Sequence, residues 1–283
     1  MKVEARAKVN FTLEVFGMRP DGYHALRSVV MPISLADTLD IEVTGDGSVS
    51  SDAGYDDDLC LKAARALKSS VSGLAPSLGA AVRVTKRIPA GGGLGGGSAD
   101  AAAVLRALNE LWGAGLSREE LAGVGARVGS DVPALVMGGP VVMEGRGETV
   151  APLSVSAPSL HLVLVNPGVR SSTKEVYAAY AARPSGGENL TAKMVAALET
   201  GDVGGIAAAL MNDLQEPAVK LHPEIADALV ALKKAGVAGA TMSGSGSSVF
   251  GLVADEDEGR RISRELSARG LRAWPVHLTG ERQ

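Results

Sequence analysis

Residues 89–100 read Pro89-Ala90-Gly91-Gly92-Gly93-Leu94-Gly95-Gly96-Gly97-Ser98-Ala99-Asp100, with six glycines in seven positions. Such a run lets the backbone approach a ligand closely and adopt positive φ, at a heavy entropic cost. It follows a short strand-like stretch, Ala81–Thr85. It precedes Val104, Ala107, Leu108 and Leu111, which recur at helical spacing until Gly113. Consecutive N–H groups leading into a helix N-terminus make an anion site suited to phosphate. No Gly-Lys-[Ser/Thr] closes a Walker A loop, and no acidic residue completes a dinucleotide fingerprint at the expected spacing. The plain alternative is a flexible linker with a helix cap at Ser98, but a linker would not run straight into so regular a helix.

Three weaker features accompany the loop. Lys8 and Asn10 stand two apart on the polar face of the first strand, so they point the same way about 7 Å apart. A cation beside an amide suits phosphoryl transfer, where developing charge must be neutralised. Taken alone, the pair reads better as a solvated strand face. Asp131, in Gly129-Ser130-Asp131-Val132-Pro133, either caps a helix whose first turn holds Pro133 or steers a hydroxyl proton, and alone the two readings are even. Ser243-Gly244-Ser245-Gly246 is a second Gly/Ser loop between two strands, and alone it reads as a hairpin turn.

The elements that must position these residues are legible in outline. From Val3 to Val15 apolar and polar residues alternate without a break, which predicts a half-buried strand. Gly17 and the Arg19-Pro20-Asp21-Gly22 turn end it. Two short strands are expected at Ser28–Ile33 and Thr38–Val43, then an exposed acidic loop over 44–58. Helices are predicted at Leu59–Lys68, Arg118–Val128, Lys174–Ala182, Thr191–Glu199, from Pro223 to Gly236, and at Glu256–Ala268. Strands are predicted at His161–Asn166, Val249–Ala254 and Leu271–Val276. The second half mixes strands and helices as an α+β sandwich would. The soft boundary lies between Ala151-Pro152 and Pro158, giving domains at 1–154 and 155–283.

Composition narrows the function classes. The 36 glycines in 283 residues are well above the usual roughly 7%. A net charge of -4 points to neither nucleic acid nor an anionic membrane. Cys60 alone allows no internal disulfide, and the four histidines lie too far apart for metal-ligand spacing. There is no signal-peptide pattern and no apolar run near the roughly 20 residues that span a bilayer. The expectation is a soluble, cytoplasmic protein with no evident obligate protein partner.

Together the motifs Ala7-Lys8-Val9-Asn10, the glycine loop and Ser243–Gly246 resemble the three motifs of the GHMP small-molecule kinases. Asp21-Gly22-Tyr23-His24, the doubled glycine triplet and Gly129–Pro133 bring it nearest to members acting on a cytidine diphosphate-linked polyol. The resemblance spans essentially the whole chain. It implies an α+β fold with an N-terminal α/β domain, a ferredoxin-like C-terminal domain and an active site between them. It implies catalytic places for Lys8 and Asp131, ATP phosphates wrapped by Pro89–Ala99, and Mg²⁺ bridging those phosphates, with Ser98 and Asp131 both conceivable ligands. Asn10, Tyr23, His24, Thr173 and Tyr177 fall on the substrate side. Lys86 and Asp58 fall on the adenine side, where the family pattern leads one to expect asparagine instead of Asp58. The alternatives are another kinase of the family, acting on homoserine or mevalonate, and a non-catalytic nucleotide-binding paralogue. A paralogue would be expected to have lost Lys8 or Asp131, and both are present.

Overall fold

The computed structural model describes residues 1–54, 57–155, 160–180 and 189–279. The boundary stretch at 156–158 and the expected helix end at 181–182 lie outside them. In chain order the strands are β1 (Lys2–Met18), β2 (His24–Thr44), β3 (Val49–Ser51), β4 (Gly79–Thr85), β5 (Val141–Gly145), β6 (Thr149–Pro152), β7 (His161–Asn166), β8 (Met211–Asn212), β9 (Ala240–Met242), β10 (Val249–Val253) and β11 (Arg272–His277). The helices are α1 (Leu59–Ser70), α2 (Gly96–Leu111), α3 (Arg118–Gly125), α4 (Val132–Met137), α5 (Thr173–Ala179), α6 (Leu190–Thr200), α7 (Val203–Ala209), α8 (Gln215–Leu221), α9 (Glu224–Lys234) and α10 (Glu256–Ala268).

The first sheet has the order β3-β4-β2-β1-β8, with β5 also on β2 and β6 on β5. Where two short strands are expected, β2 runs unbroken. β1 holds one of its edges, while β5 takes residues 26–30 and β4 takes residues 38–44 on the other. The acidic loop after it contains β3, which pairs in parallel with β4. β5, β6, β8, α7 and α8 have no counterpart in the sequence reading. They are short or strongly polar, and their patterns are too brief to show a period.

β1 departs from the half-buried expectation. From Ala7 to Leu13 it is buried on both faces. Ala7, Val9 and Phe11 join the main core, and the polar positions between them are covered by loops and α6. Register shifts between Arg6 and Lys8 and between Asn10 and Thr12 mark bulges that re-aim the side chains between them.

The second sheet is antiparallel throughout, in the order β11-β7-β10-β9. With the helices between β7 and β9, and α10 between β10 and β11, this is the βαββαβ ferredoxin-like arrangement. Alternation divides its side chains. Leu162, Leu164, Phe250 and Leu252 join the core shared with β1, whereas Val163, Val165, Val249 and Val253 pack with Ile225, Leu232, Ile262 and Leu266 of α9 and α10. Phe11 stacks on Phe250 at 5.5 Å and 20°, fastening the first sheet to the second.

Candidate active site

A cavity of about 1140 Å³ opens beside the glycine loop and takes its walls from the first sheet and from loops and α5 of the second half. The loop is shaped by φ. Gly91, Gly93 and Gly95 lie at +66°, +74° and +69°, which other residues rarely adopt. Its carbonyls are turned onto protein donors. Gly91 O accepts from Ser171 N (3.1 Å), Gly92 O from Ser248 N (3.0 Å), Gly93 O from Ser243 Oγ (2.9 Å) and Leu94 O from Lys8 N (3.0 Å). Carbonyl oxygens that would repel phosphate are thereby occupied. α2 starts at Gly96 with Gly95 at its N-cap, so Ser98 is not the cap but sits within the first turn. The first-turn N–H groups of α2 lack intrahelical partners and are available to an anion.

The Gly/Ser loop is both a hairpin turn and a wall of the cleft. Ser243 N donates to Ser248 O (2.9 Å), closing the β9–β10 hairpin. A Cβ on Gly93 would lie 2.1 Å from Ser243 O, so glycine is what allows the two loops to interlock. Asn212 Nδ2 donates to the carbonyls of Met242 and Gly244 (both 2.8 Å) and pins this loop to the edge of β1. Thr173 Oγ1 lies 2.9 Å from Ser245 Oγ.

Lys8 is not on a solvated face. Its side chain is 4% exposed, and Nζ donates to Asn10 Oδ1 at 2.7 Å and lies 3.4 Å from Asp131 Oδ2. Asn10 has both ends in use, since Nδ2 donates to Ser28 Oγ (2.7 Å), which fixes the amide that orients Lys8. Asp131 occupies the N-cap position of α4, yet its side chain makes no capping hydrogen bond. It is 31% exposed and lines the cavity. The capping reading therefore gives the position but not the job of the carboxylate.

Lys86 and Asp58 also line the cavity. Lys86 Nζ donates to Asp37 Oδ2 (2.5 Å) and Asp100 Oδ2 (2.6 Å). Burial opposes its charge, but the bonds from Asp100 and Asp37 outweigh this and raise its pKa. Asp58 caps α1, accepting from Cys60 N (2.8 Å) and Leu61 N (3.3 Å). Asparagine could make the same cap through its side-chain oxygen, so the unusual residue keeps the local geometry.

Aromatic groups gather on another part of the wall. The rings of His24 and Tyr177 lie 5.4 Å apart, and His24 meets Tyr180 edge-on at 6.1 Å. Burial, then the charge of Asp131, pushes the Tyr177 phenol up, so it stays a hydrogen-bond donor. Tyr23 is exposed, with the Arg146 guanidinium 5.3 Å over its ring. Tyr180, Arg146 and Asn212 were not found by sequence reasoning. No local motif marks them, and only the tertiary fold brings them to the cleft. Among the described residues no group of three or more His, Cys, Asp or Glu side chains could hold a metal, and no helix is long and apolar enough to cross a membrane.

Comparison with known proteins shows the family to which the chain is similar. Residues 58–139 match the GHMP kinases N terminal domain and residues 194–271 match GHMP kinases C terminal. The chain is 42% identical to the 4-diphosphocytidyl-2-C-methyl-D-erythritol kinase of Symbiobacterium thermophilum, over 98% of this chain and 99% of that one. It is 43% identical to the same-named kinase of Pelotomaculum thermopropionicum, over 92% and 91%. A crystal structure of 4-(cytidine 5'-diphospho)-2C-methyl-D-erythritol kinase superposes with a TM-score of 0.83 at 36% identity, covering 99% of this chain and 100% of that one. A homoserine kinase from Cytophaga hutchinsonii shares the fold, with a TM-score of 0.74 at 20% identity over 100% and 95%.

Proposed function

The chain belongs to the GHMP kinase family, and from that premise we infer that it transfers the γ-phosphate of ATP to the 2-hydroxyl of 4-diphosphocytidyl-2-C-methyl-D-erythritol. That reaction belongs to the non-mevalonate route to isoprenoid precursors, and its use of ATP fits a cytoplasmic enzyme. The observation that carries the reading is the pairing of buried Lys8 with Asp131 beside a glycine loop whose carbonyls are tied back. The division of labour follows the chain, with residues 1–154 binding ATP and residues 155–283 completing the site.

Transfer is direct and in line. Asp131 orients or deprotonates the acceptor hydroxyl. Lys8 lowers that hydroxyl's pKa and neutralises charge as the bond forms, and no covalent phosphoenzyme is needed. Pro89 to Ala99 hold the phosphates. The cleft offers Asp131 and Ser98 as oxygen donors, and among the described residues there is no protein cage. This fits Mg²⁺, which is held by one or two protein oxygens together with substrate phosphates. When bound it would supply further neutralisation of phosphate charge. His24, Tyr177 and Tyr23 hold the cytosine, and Thr173 and Asn10 border the same substrate. The test is a phosphate-transfer assay offering ATP with the cytidyl substrate, homoserine or mevalonate in parallel. Turnover confined to the cytidyl substrate is expected, and preference for either other acceptor would reject the assignment.

A further inference from the structure

Lys8 and Asn10 line the cleft, but the group that settles how Asn10 stands lies behind its wall. Ser28, on β2, is fully buried and does not line the cavity. Its hydroxyl joins two points of β1, since Oγ donates to Thr12 O (2.6 Å) and accepts from Asn10 Nδ2 (2.7 Å). The register shift of β1 between Asn10 and Thr12 falls between those two points. Thr12 is itself held, because its own hydroxyl accepts from Val29 N (3.0 Å) and lies 2.9 Å from Thr191 Oγ1 on α6.

The donors along this chain run in one direction. A backbone carbonyl only accepts, so Thr12 O takes the single Ser28 proton. Ser28 Oγ then has only lone pairs left for Asn10 and must face Nδ2. The two ends of an amide have nearly the same shape, so sterics alone would let Asn10 stand either way round. With Nδ2 committed to Ser28, Oδ1 is the end that meets Lys8 Nζ, at 2.7 Å. Turned over, the amide would set its N–H groups against the ammonium and its lone pairs against those of Ser28. Lys8, Asn10, Thr12 and Ser28 are all buried, so a partner lost here is not replaced by bulk water.

We propose that Ser28 is a positioning residue for the transfer. Through the Thr12 carbonyl it fixes the polarity of the Asn10 amide, and through that amide it aims the Lys8 ammonium without touching substrate. This role rests on Lys8 acting as the charge-neutralising group.

The test is a double-mutant cycle in steady-state kinetics on the full chain, with whichever acceptor the parent phosphorylates. Ser28→Ala should lower kcat about ten- to a hundredfold, the scale of a small misplacement of a catalytic group, with KM for ATP within about twofold of the parent. Asn10→Asp removes the need for the hydroxyl, because a carboxylate has no donor end to point the wrong way. In that background Ser28→Ala should cost no more than about a further twofold, so the two losses are not additive. A merely structural role for Ser28 would cost the same factor with asparagine or aspartate at position 10. Should Ser28→Ala fail to fold, Ser28→Cys, which fills the site with a weak donor, carries the same test. Parent-like kcat in Ser28→Ala while Lys8→Ala is impaired, or an equal loss in both backgrounds, overturns the proposal and leaves the reading of Lys8 intact. Parent-like turnover in Lys8→Ala, or a parent inactive toward every acceptor, rejects that reading and the proposal with it.

Discussion

Two lysines line the same cleft and are held in contrasting ways. Lys8 leans on a neutral amide at 2.7 Å and a partly exposed carboxylate at 3.4 Å. Lys86 is gripped by two carboxylates at 2.5 and 2.6 Å, neither more than 2% exposed. A cation with one weak, half-solvated ionic partner is free to turn toward charge that appears during a reaction. A cation saturated by buried partners is not, and it acts instead as a fastener. Asp37, on β2, also accepts from Arg87 N and Ile88 N, so the Lys86 cluster ties the strand before the glycine loop to the helix after it. Lys8 is thus held loosely by charge, while Lys86 is bound to the elements at both ends of the loop.

The largest effects should separate the two. Lys8→Ala and Asp131→Asn should each lower kcat at least about a hundredfold, the scale of losing a charge-stabilising or proton-accepting group. Thermal stability should stay near that of the parent. Lys86→Met should do the reverse. It leaves two buried carboxylates unpaired, which costs about 3–5 kcal/mol of stability, while kcat at saturating ATP stays within about tenfold. Steady-state kinetics beside urea unfolding reads both quantities. A Lys86→Met enzyme that is fully stable but inactive would invert the comparison.

Neighbouring glycines lean on the two lysines in turn, which offers a sharper cut. A Cβ at Gly95 would sit 3.2 Å from Cγ and Cε of Lys8, at a φ of +69°. A Cβ at Gly96 would meet Ile88 at 3.1 Å and Lys86 Nζ at 3.6 Å. Gly95→Val should therefore weaken ATP binding at least about tenfold and lower kcat as well, because it strains the loop and displaces Lys8. Gly96→Ala should lower stability modestly and spare kcat. Calorimetry with ATP and with the cytidyl substrate checks that the loss at Gly95 is confined to ATP. Unchanged ATP affinity in a folded Gly95→Val variant would put the phosphate cradle elsewhere.

The base end should answer in KM alone. Stacking of a base on an aromatic ring is worth roughly 1–3 kcal/mol, so Tyr177→Ala should raise KM for the cytidyl substrate about 5- to 150-fold with KM for ATP nearly unchanged. Tyr23→Ala should have a smaller effect, because its ring is exposed and already covered by Arg146. His24→Ala should relax discrimination between cytidyl and uridyl analogues. Wild-type KM in all three variants would remove these rings from base recognition.

What could be read from the sequence follows from how local each signal is. Glycines at 91–97 stand out in the sequence because the loop's positive φ values and close approaches depend on their conformational freedom. The ends of β7 and α10 match the expected ones, whereas the ferredoxin-like arrangement was expected only from the family resemblance. Lys8 looked like a solvated residue until loops from distant parts of the chain covered it, and burial of a polar strand face is set by tertiary packing. Asp131 read equally as a cap or a base, because both need a carboxylate at a helix start. Only the missing cap bond and the nearby Lys8 separate them. Arg146, Tyr180 and Asn212 had no local pattern to carry them.

The smallest predicted effect is a pH signature of the fastening cluster. Asp100 places Oδ2 on Lys86, while Oδ1 is buried without a hydrogen-bond partner. Burial raises its pKa to about 7; Lys86 opposes the shift and the neighbouring Asp37 adds to it. With two carboxylates sharing one ammonium, the cluster holds a proton that the unfolded chain, with aspartate near 3.9, releases earlier. Between about pH 4 and 7 the folded state binds more protons than the unfolded one. Stability contributed by protonated Asp100 is complete below about pH 4, declines as pH rises through 7, and is flat above. The decline can reach at most about 1.4 kcal/mol per pH unit. Carboxylates with lowered values, such as Asp46, tilt the whole-protein curve the other way at low pH, so the informative quantity is a difference. Asp100→Asn supplies a neutral side chain of the same shape at every pH. Urea unfolding of parent and variant at about pH 5, 6, 7 and 8 should show the parent losing ground to the variant up to about pH 7 and holding steady beyond it. Parallel curves across that range would mean that Asp100 is ionised throughout and that Lys86 satisfies both of its carboxylates.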